Sequence, residues 1–94
     1  MRYQLLAEND VQKAFSDYLR KRREQAKLSR DALAERSTVP ASTIKKFELT
    51  GQISFRQLLL LWQTLDDLKR FYALTQYEVD KTPQSIEEIL KHGL

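Results

Sequence analysis

The sequence predicts an all-α fold, a compact domain of five to six helices, and three observations carry that expectation. Only two glycines and two prolines interrupt 94 residues. Apolar residues return at spacings of three and four rather than in alternation, which is the period of helices with one buried face. Helix-start signals stand before several of these stripes, two of them in capping-box form, Ser54 with Gln57 and Ser85 with Glu88. The length suits one domain over 1–94, because a chain this short buries enough surface for a single core only.

The elements follow in order. Val11, Ala14, Phe15, Tyr18, Leu19, Arg22 and Ala26 share one stripe, and Asn9 or Asp10 is available as cap, so a first helix is expected over about 10–26. Ser29 caps a brief second helix that turns Leu33 and Ala34 inward. It must stop near Ser37-Thr38, since Pro40 disfavours helical geometry at Val39. A third helix starts around Pro40, keeps Ile44 and Phe47 inside, and ends at Thr50-Gly51 on a left-handed glycine. A fourth follows Ser54 with Leu58, Leu61, Trp62 and Leu65 toward the core. A fifth, opened by Asp66-Asp67, carries Leu68, Phe71, Tyr72 and Leu74 to about Thr75. Past a polar stretch with Pro83, a short sixth helix with Ile86, Ile89 and Leu90 ends at Gly93. A core over 10–68 with a helical extension over 69–94 is the expected layout.

Composition removes several function classes. With no cysteine and a single histidine, His92, a disulfide framework, a zinc site and a thiol nucleophile all lack their residues; no metal and no cofactor is expected. Met1 to Glu8 has no apolar run with a cleavage site, and no segment offers eighteen uncharged apolar residues, so neither secretion nor a membrane span is expected and a reducing cytoplasm fits. The formal charge of +3 is unevenly spread. Residues 1–47 hold eleven Lys/Arg against six Asp/Glu, while residues 48–94 hold five against seven. A basic half beside an acidic half fits one side facing a polyanion and another facing a partner, although a solvated helix face gives the same asymmetry.

More specific is a pair of short helices joined by a few residues, the second carrying lysines, behind a basic first helix, which is the pattern of a helix-turn-helix. The stretch from Leu19 to Leu65 resembles the Xre-type helix-turn-helix of phage repressors, Cro-like proteins and bacterial antitoxins. The likeness rests on Leu19-Arg20, Arg23, Leu28-Ser29, Leu33-Ala34, Val39, Ser42-Thr43-Ile44, Glu48, Gly51 and Leu58 in register. It implies a third helix lying in the DNA major groove, where outward positions must be small or polar. Pro40, Ala41, Ser42, Thr43, Lys45 and Lys46 form the DNA-contacting set there, with Lys46 able to reach guanine O6 or N7. Arg20, Ser29 and Arg30 join them, and Arg20, Arg30 and Lys45 are expected on phosphates. The resemblance also implies a partly buried ion pair between Arg23 and Glu48.

This chain departs from that pattern in three places. Arg30 stands where relatives carry a glutamine, Thr38 where the turn carries glycine, and Pro40 where the third helix has a capping Ser or Thr. A β-branched residue is poorly suited to positive φ, so a locally different turn is expected, with Pro40 at the first helical position.

Within the group, Thr43 to Ser54, Leu65-Asp66-Asp67-Leu68 and Ser85 to Leu90 look like HipB-type proteins. That finer likeness implies an antitoxin and autorepressor that docks a HipA-like kinase toxin; a solitary or phage-type regulator shares most of the same core. One reading helix contacts few base pairs, so a homodimer on palindromic double-stranded operator DNA is expected. Leu59, Leu60 and part of Trp62 turn outward near Phe71 and Tyr72 as its candidate interface, unless Ile86, Ile89 and Leu90 fold back over them. An enzyme fits poorly. Asp66-Asp67 and Glu87-Glu88 are adjacent pairs whose side chains diverge on a helix, and His92 reads as a helix-end residue rather than a general base. A purely structural adaptor would need no basic reading face.

Overall fold

The computed structural model describes residues 5–76. Among them are five helices and no strand: α1 (Glu8–Gln25), α2 (Arg30–Ser37), α3 (Ala41–Thr50), α4 (Phe55–Leu65) and α5 over 68–76. The expected sixth helix, with its Ser85/Glu88 box, lies outside the described residues, as does His92. The all-α architecture is the one the periodicity predicts.

Leu19, Leu33, Val39, Ile44, Phe47, Leu61, Trp62 and Leu65 form the core, so α1 to α4 each contribute, and Val39 seals the α2–α3 turn. α1 and α2 each pack on both α3 and α4. Ile44 is fully buried and Phe47 nearly so, which fixes which face of α3 points in. Truncating either would cost about 2–5 kcal/mol through lost transfer energy and the cavity left behind.

Capping sets the boundaries. Ser29 Oγ accepts from the Ala32 N–H at 3.0 Å and Ser54 Oγ accepts from the Gln57 N–H at 3.1 Å, starting α2 and α4 where the sequence predicts. The Ser54 box closes through side chains rather than in reciprocal form, since the Ser54 hydroxyl donates to Gln57 Oε1 at 3.2 Å. α1 begins two residues before its expected start. Ala7 is its cap residue, and the Asp10 carboxylate reaches back to accept from the Ala7 N–H at 3.0 Å. Its stripe is narrower than expected: Val11 is 42 % exposed, and the buried residues are Leu19 and an unforeseen Ser16, whose hydroxyl donates to the Lys13 carbonyl at 2.9 Å.

The α2–α3 turn corrects two expectations. Thr38 takes the left-handed conformation, φ 67°, that the family position reserves for glycine. Its N–H donates to Ala34 O at 2.8 Å, its hydroxyl donates to the Ser37 carbonyl, and the Val39 N–H donates to Ser37 Oγ at 3.2 Å. These bonds hold the turn against the steric cost of a β-branched residue there. Pro40 is the residue before α3, with extended ψ of 144°, not its first helical residue, and supplies no side-chain cap. Gly51 ends α3 at φ 82°. A Cβ there would also stand 3.2 Å from Gln12 on α1, so both backbone angle and close approach require glycine.

At the α4–α5 corner, Trp62 is 7 % exposed and faces the core as the α4 stripe predicts, which corrects only the expectation that part of it turns outward into a dimer interface. Its indole N–H donates to Asp67 O at 2.9 Å, and its ring packs against Phe71, Tyr18 and Phe15 at centroid distances of 5.1, 5.4 and 5.7 Å. A buried indole needs a partner for its N–H, and the bend between α4 and α5 provides one.

Candidate DNA interface

α3 divides cleanly by face. Ile44, Phe47 and Glu48 are buried, while Ser42, Lys45 and Lys46 are exposed and Ala41 and Thr43 half-buried. Pro40 is exposed at the entry to the helix. Over the first two turns the outward surface is thus small, hydroxylated and cationic, as entry into a DNA major groove requires, while Leu49, 62 % exposed, stands near the end of the helix. Beside it, Ser42, Thr43 and Lys46 line a polar depression of about 500 Å³ shared with Gln52, Ile53, Ser54 and Gln57. The sequence marked Ser54 and Gln57 only as a helix cap and did not place any of the last four beside the reading face. Their signal is a polar loop directly following a reading helix, which returns the chain along the same face.

Arg23 and Glu48 join α1 to α3. Arg23 Nε lies 2.6 Å from Glu48 Oε2 and Nη2 lies 3.0 Å from Oε1, a two-pronged pair, while Nη1 donates to Leu28 O at 2.8 Å. The carboxylate side chain is only 3 % exposed. A second guanidinium shares it: Arg30 Nε donates to Glu48 Oε1 at 2.9 Å. Burial alone would raise the Glu48 carboxyl. Hydrogen bonds from Arg23 and Arg30, with their charges, outweigh that burial and hold the group below its ordinary value. The hydrogen bond to Glu48 likewise raises Arg23. Stripping one partner from so buried a pair costs about 3–5 kcal/mol.

The other candidates are spread more widely. Ser29 spends its oxygen on the α2 cap and keeps its O–H as a donor at an exposed position. Arg20 is exposed and meets Glu24, one turn along its own helix, at 3.2 Å; no described contact brings it to α3. Leu60 and Phe71 are half-buried and pack on the core, while Tyr72 is 64 % exposed. Leu59 and Tyr72, with Phe55, Leu68, Phe71 and Leu74, line an apolar groove of about 490 Å³ between α4 and α5.

A second polar cluster, also unforeseen, lies at the α4–α5 corner. The Tyr18 hydroxyl donates to Asp66 Oδ2, and Arg70 Nη1 donates to that carboxylate oxygen at 2.8 Å and to Tyr18 Oη at 3.1 Å. The Tyr18 hydrogen bond is the chief reason Asp66 sits below its ordinary value. Among the described residues no group of His, Cys, Asp and Glu could hold a metal ion, and no helix is long and apolar enough to cross a membrane.

Comparison with curated proteins and with solved structures finds no significant match. A protein-family model described as a helix-turn-helix domain matches residues 14–81, well over half of the chain and spanning all of α2, α3 and α4. The chain therefore belongs to the Xre/Cro-like helix-turn-helix family, whose domain implies DNA binding.

Proposed function

We propose that this protein is a sequence-specific transcriptional repressor that binds palindromic operator DNA as a homodimer, and that it serves as the HipB-like antitoxin and autorepressor of a toxin–antitoxin operon. The observation that carries the DNA reading is the two-faced α3, whose inner side is locked by Ile44 and Phe47 while Ser42, Lys45 and Lys46 stay exposed. Ser42, Thr43 and Lys46 serve as base-edge or nearby phosphate contacts. Pro40 and Ala41 allow close approach at the entry to α3, and Ser29, Arg30, Lys45 and Arg20 serve the backbone. The family is typically non-enzymatic, which agrees with a binding role.

Dimerisation follows from the few base pairs one α3 can span. The apolar groove of Phe55, Leu59, Leu68, Tyr72 and Leu74 supports it, because a patch of that character marks an interaction surface. The toxin-partner reading rests on the sequence likeness of Thr43 to Ser54, Leu65 to Leu68 and Ser85 to Leu90 to HipB-type proteins.

A mobility-shift assay on the DNA immediately upstream of the gene tests the repressor reading. Saturable retention that survives excess mixed-sequence DNA is the expected result; retention no better than that of mixed-sequence DNA contradicts it. A HipA-like kinase reading frame beside the gene, and co-purification of the two products, separate the antitoxin from a solitary regulator.

A further inference from the structure

Glu48 is a buried carboxylate facing two guanidinium groups, and the two are not equivalent. Arg23 engages both carboxylate oxygens and is itself 11 % exposed in its side chain, so it alone neutralises and satisfies the acid. Arg30 uses only its Nε, on Oε1, and its side chain is 36 % exposed. A guanidinium carries five N–H donors in a rigid plane. Among the described residues neither Nη nitrogen of Arg30 has a hydrogen-bond partner, so both NH2 groups remain open, and one N–H of each lies side by side on the edge away from Nε. One carboxylate between two cations also leaves a net positive charge, on the arginine that reaches solvent.

We propose that Glu48 is a positioning residue for DNA binding: it anchors the Nε edge of Arg30 so that the opposite edge is presented, already oriented, to a phosphate of the DNA backbone. This rests on the reading of Arg30 as a backbone contact and adds how that contact is built. Arg23 frees Arg30 for the task by satisfying Glu48 without it. An arginine fixed at one edge loses less rotamer freedom on binding than a freely swinging one, and its planar fork matches phosphate oxygens. The same carboxylate sits on α3, so the backbone contact at the start of α2 is tied through one side chain to the helix that reads the bases.

The test measures affinity for mixed-sequence duplex DNA across a range of salt, for the wild type, Arg30→Ala, Glu48→Gln and the double variant, with folding checked by thermal melts. Arg30→Ala should fold and lower the slope of log affinity against log salt by about 0.9, one phosphate contact. Glu48→Gln removes a negative charge, so simple electrostatics makes it bind DNA more tightly. Positioning requires the reverse: weaker binding, a lower slope, and no further loss in the double variant. Tighter binding with an unchanged slope, or additive losses, overturns the proposal. Arg30→Ala with the wild-type slope instead removes the phosphate-contact reading beneath it. Should Glu48→Gln fail to fold, Arg30→Lys decides. A single ammonium cannot present a fork while anchored, so the slope should fall as for alanine, and a full wild-type slope shows that charge alone counts and overturns the positioning role.

Discussion

The Arg22 guanidinium on α1 grips the carbonyl oxygen of Leu65, the last residue of α4, with Nε at 3.0 Å and Nη2 at 2.8 Å. The terminal carbonyls of a helix lack intrahelical donors and carry the negative end of its dipole, so a cation placed there both satisfies and stabilises them. Arg22→Ala should cost about 1.5–3 kcal/mol, the range for a hydrogen bond to a charged group. Urea denaturation reads it. A midpoint equal to that of the wild type would show the contact to be without net value.

Thr38 pays a steric cost that glycine would not. Thr38→Gly relieves the strained φ but gives the unfolded chain more freedom and removes the hydroxyl bond to Ser37 O. The strain of a β-branched residue in that region is the larger effect, so the variant should be more stable by about 0.5–1 kcal/mol. A lower melting temperature than wild type would mean that the Thr38 hydroxyl bond and the added freedom of the unfolded chain outweigh the strain.

The helix order and the reading face were legible because they depend on local chemistry: Ser29 and Ser54 as caps, Gly51 as terminator, Ile44 and Phe47 at inward spacing. What escaped depends on partners distant in sequence. Arg30 reads as a free cation until α3 delivers Glu48, 18 residues on, and Asp66 reads as a helix-start charge until α1 brings the Tyr18 hydroxyl to it, 48 residues away. Trp62 lies at the edge of the α4 stripe, and the bend that takes its N–H inward is set by Asp67 O, which no periodicity reveals.

Acid should unfold the protein through Glu48 and Asp66. Both carboxyls are depressed in the folded state, so they contribute stability that is present above their unfolded values, near 4.5 and 3.8, and is lost as pH falls through the folded ones. Stability should be flat from neutral pH down to about 5 and then fall steeply. Asp66→Asn should make the acid limb shallower. Melting temperatures recorded along the pH scale test this, and an acid limb of the same steepness in the variant would exclude Asp66 as a contributor.

Ser42→Ala and Lys46→Ala should fold normally, since both side chains are exposed, and should weaken operator binding by about 1–3 kcal/mol each where they meet base edges. Lys45→Ala and Arg20→Ala should instead lower the salt slope by about one without altering base preference. Operator titrations at several salt concentrations separate the two groups, and a Lys46→Ala protein with wild-type affinity would remove that residue from the reading set.

The dimer surface is best probed at residues the fold itself does not need. Leu60 and Phe71 stood out from the sequence, but both pack on the core, and Phe71 lies 5.1 Å from Trp62 and 5.8 Å from Phe15. A charge at either position would unfold the domain and say nothing about assembly. Tyr72 and Leu74, 64 % and 68 % exposed on the α5 side of the groove, are free of that objection. If this groove receives a second copy, Tyr72→Glu and Leu74→Glu bury an unpaired charge in the interface and should convert dimer to monomer, with melting in the monomeric state little changed. Operator affinity should fall sharply, because each monomer then holds a single half-site. Sedimentation equilibrium at micromolar concentration gives the answer directly: a wild type that sediments as a monomer, or glutamate variants that stay dimeric, would move the interface away from this groove and leave it to another partner.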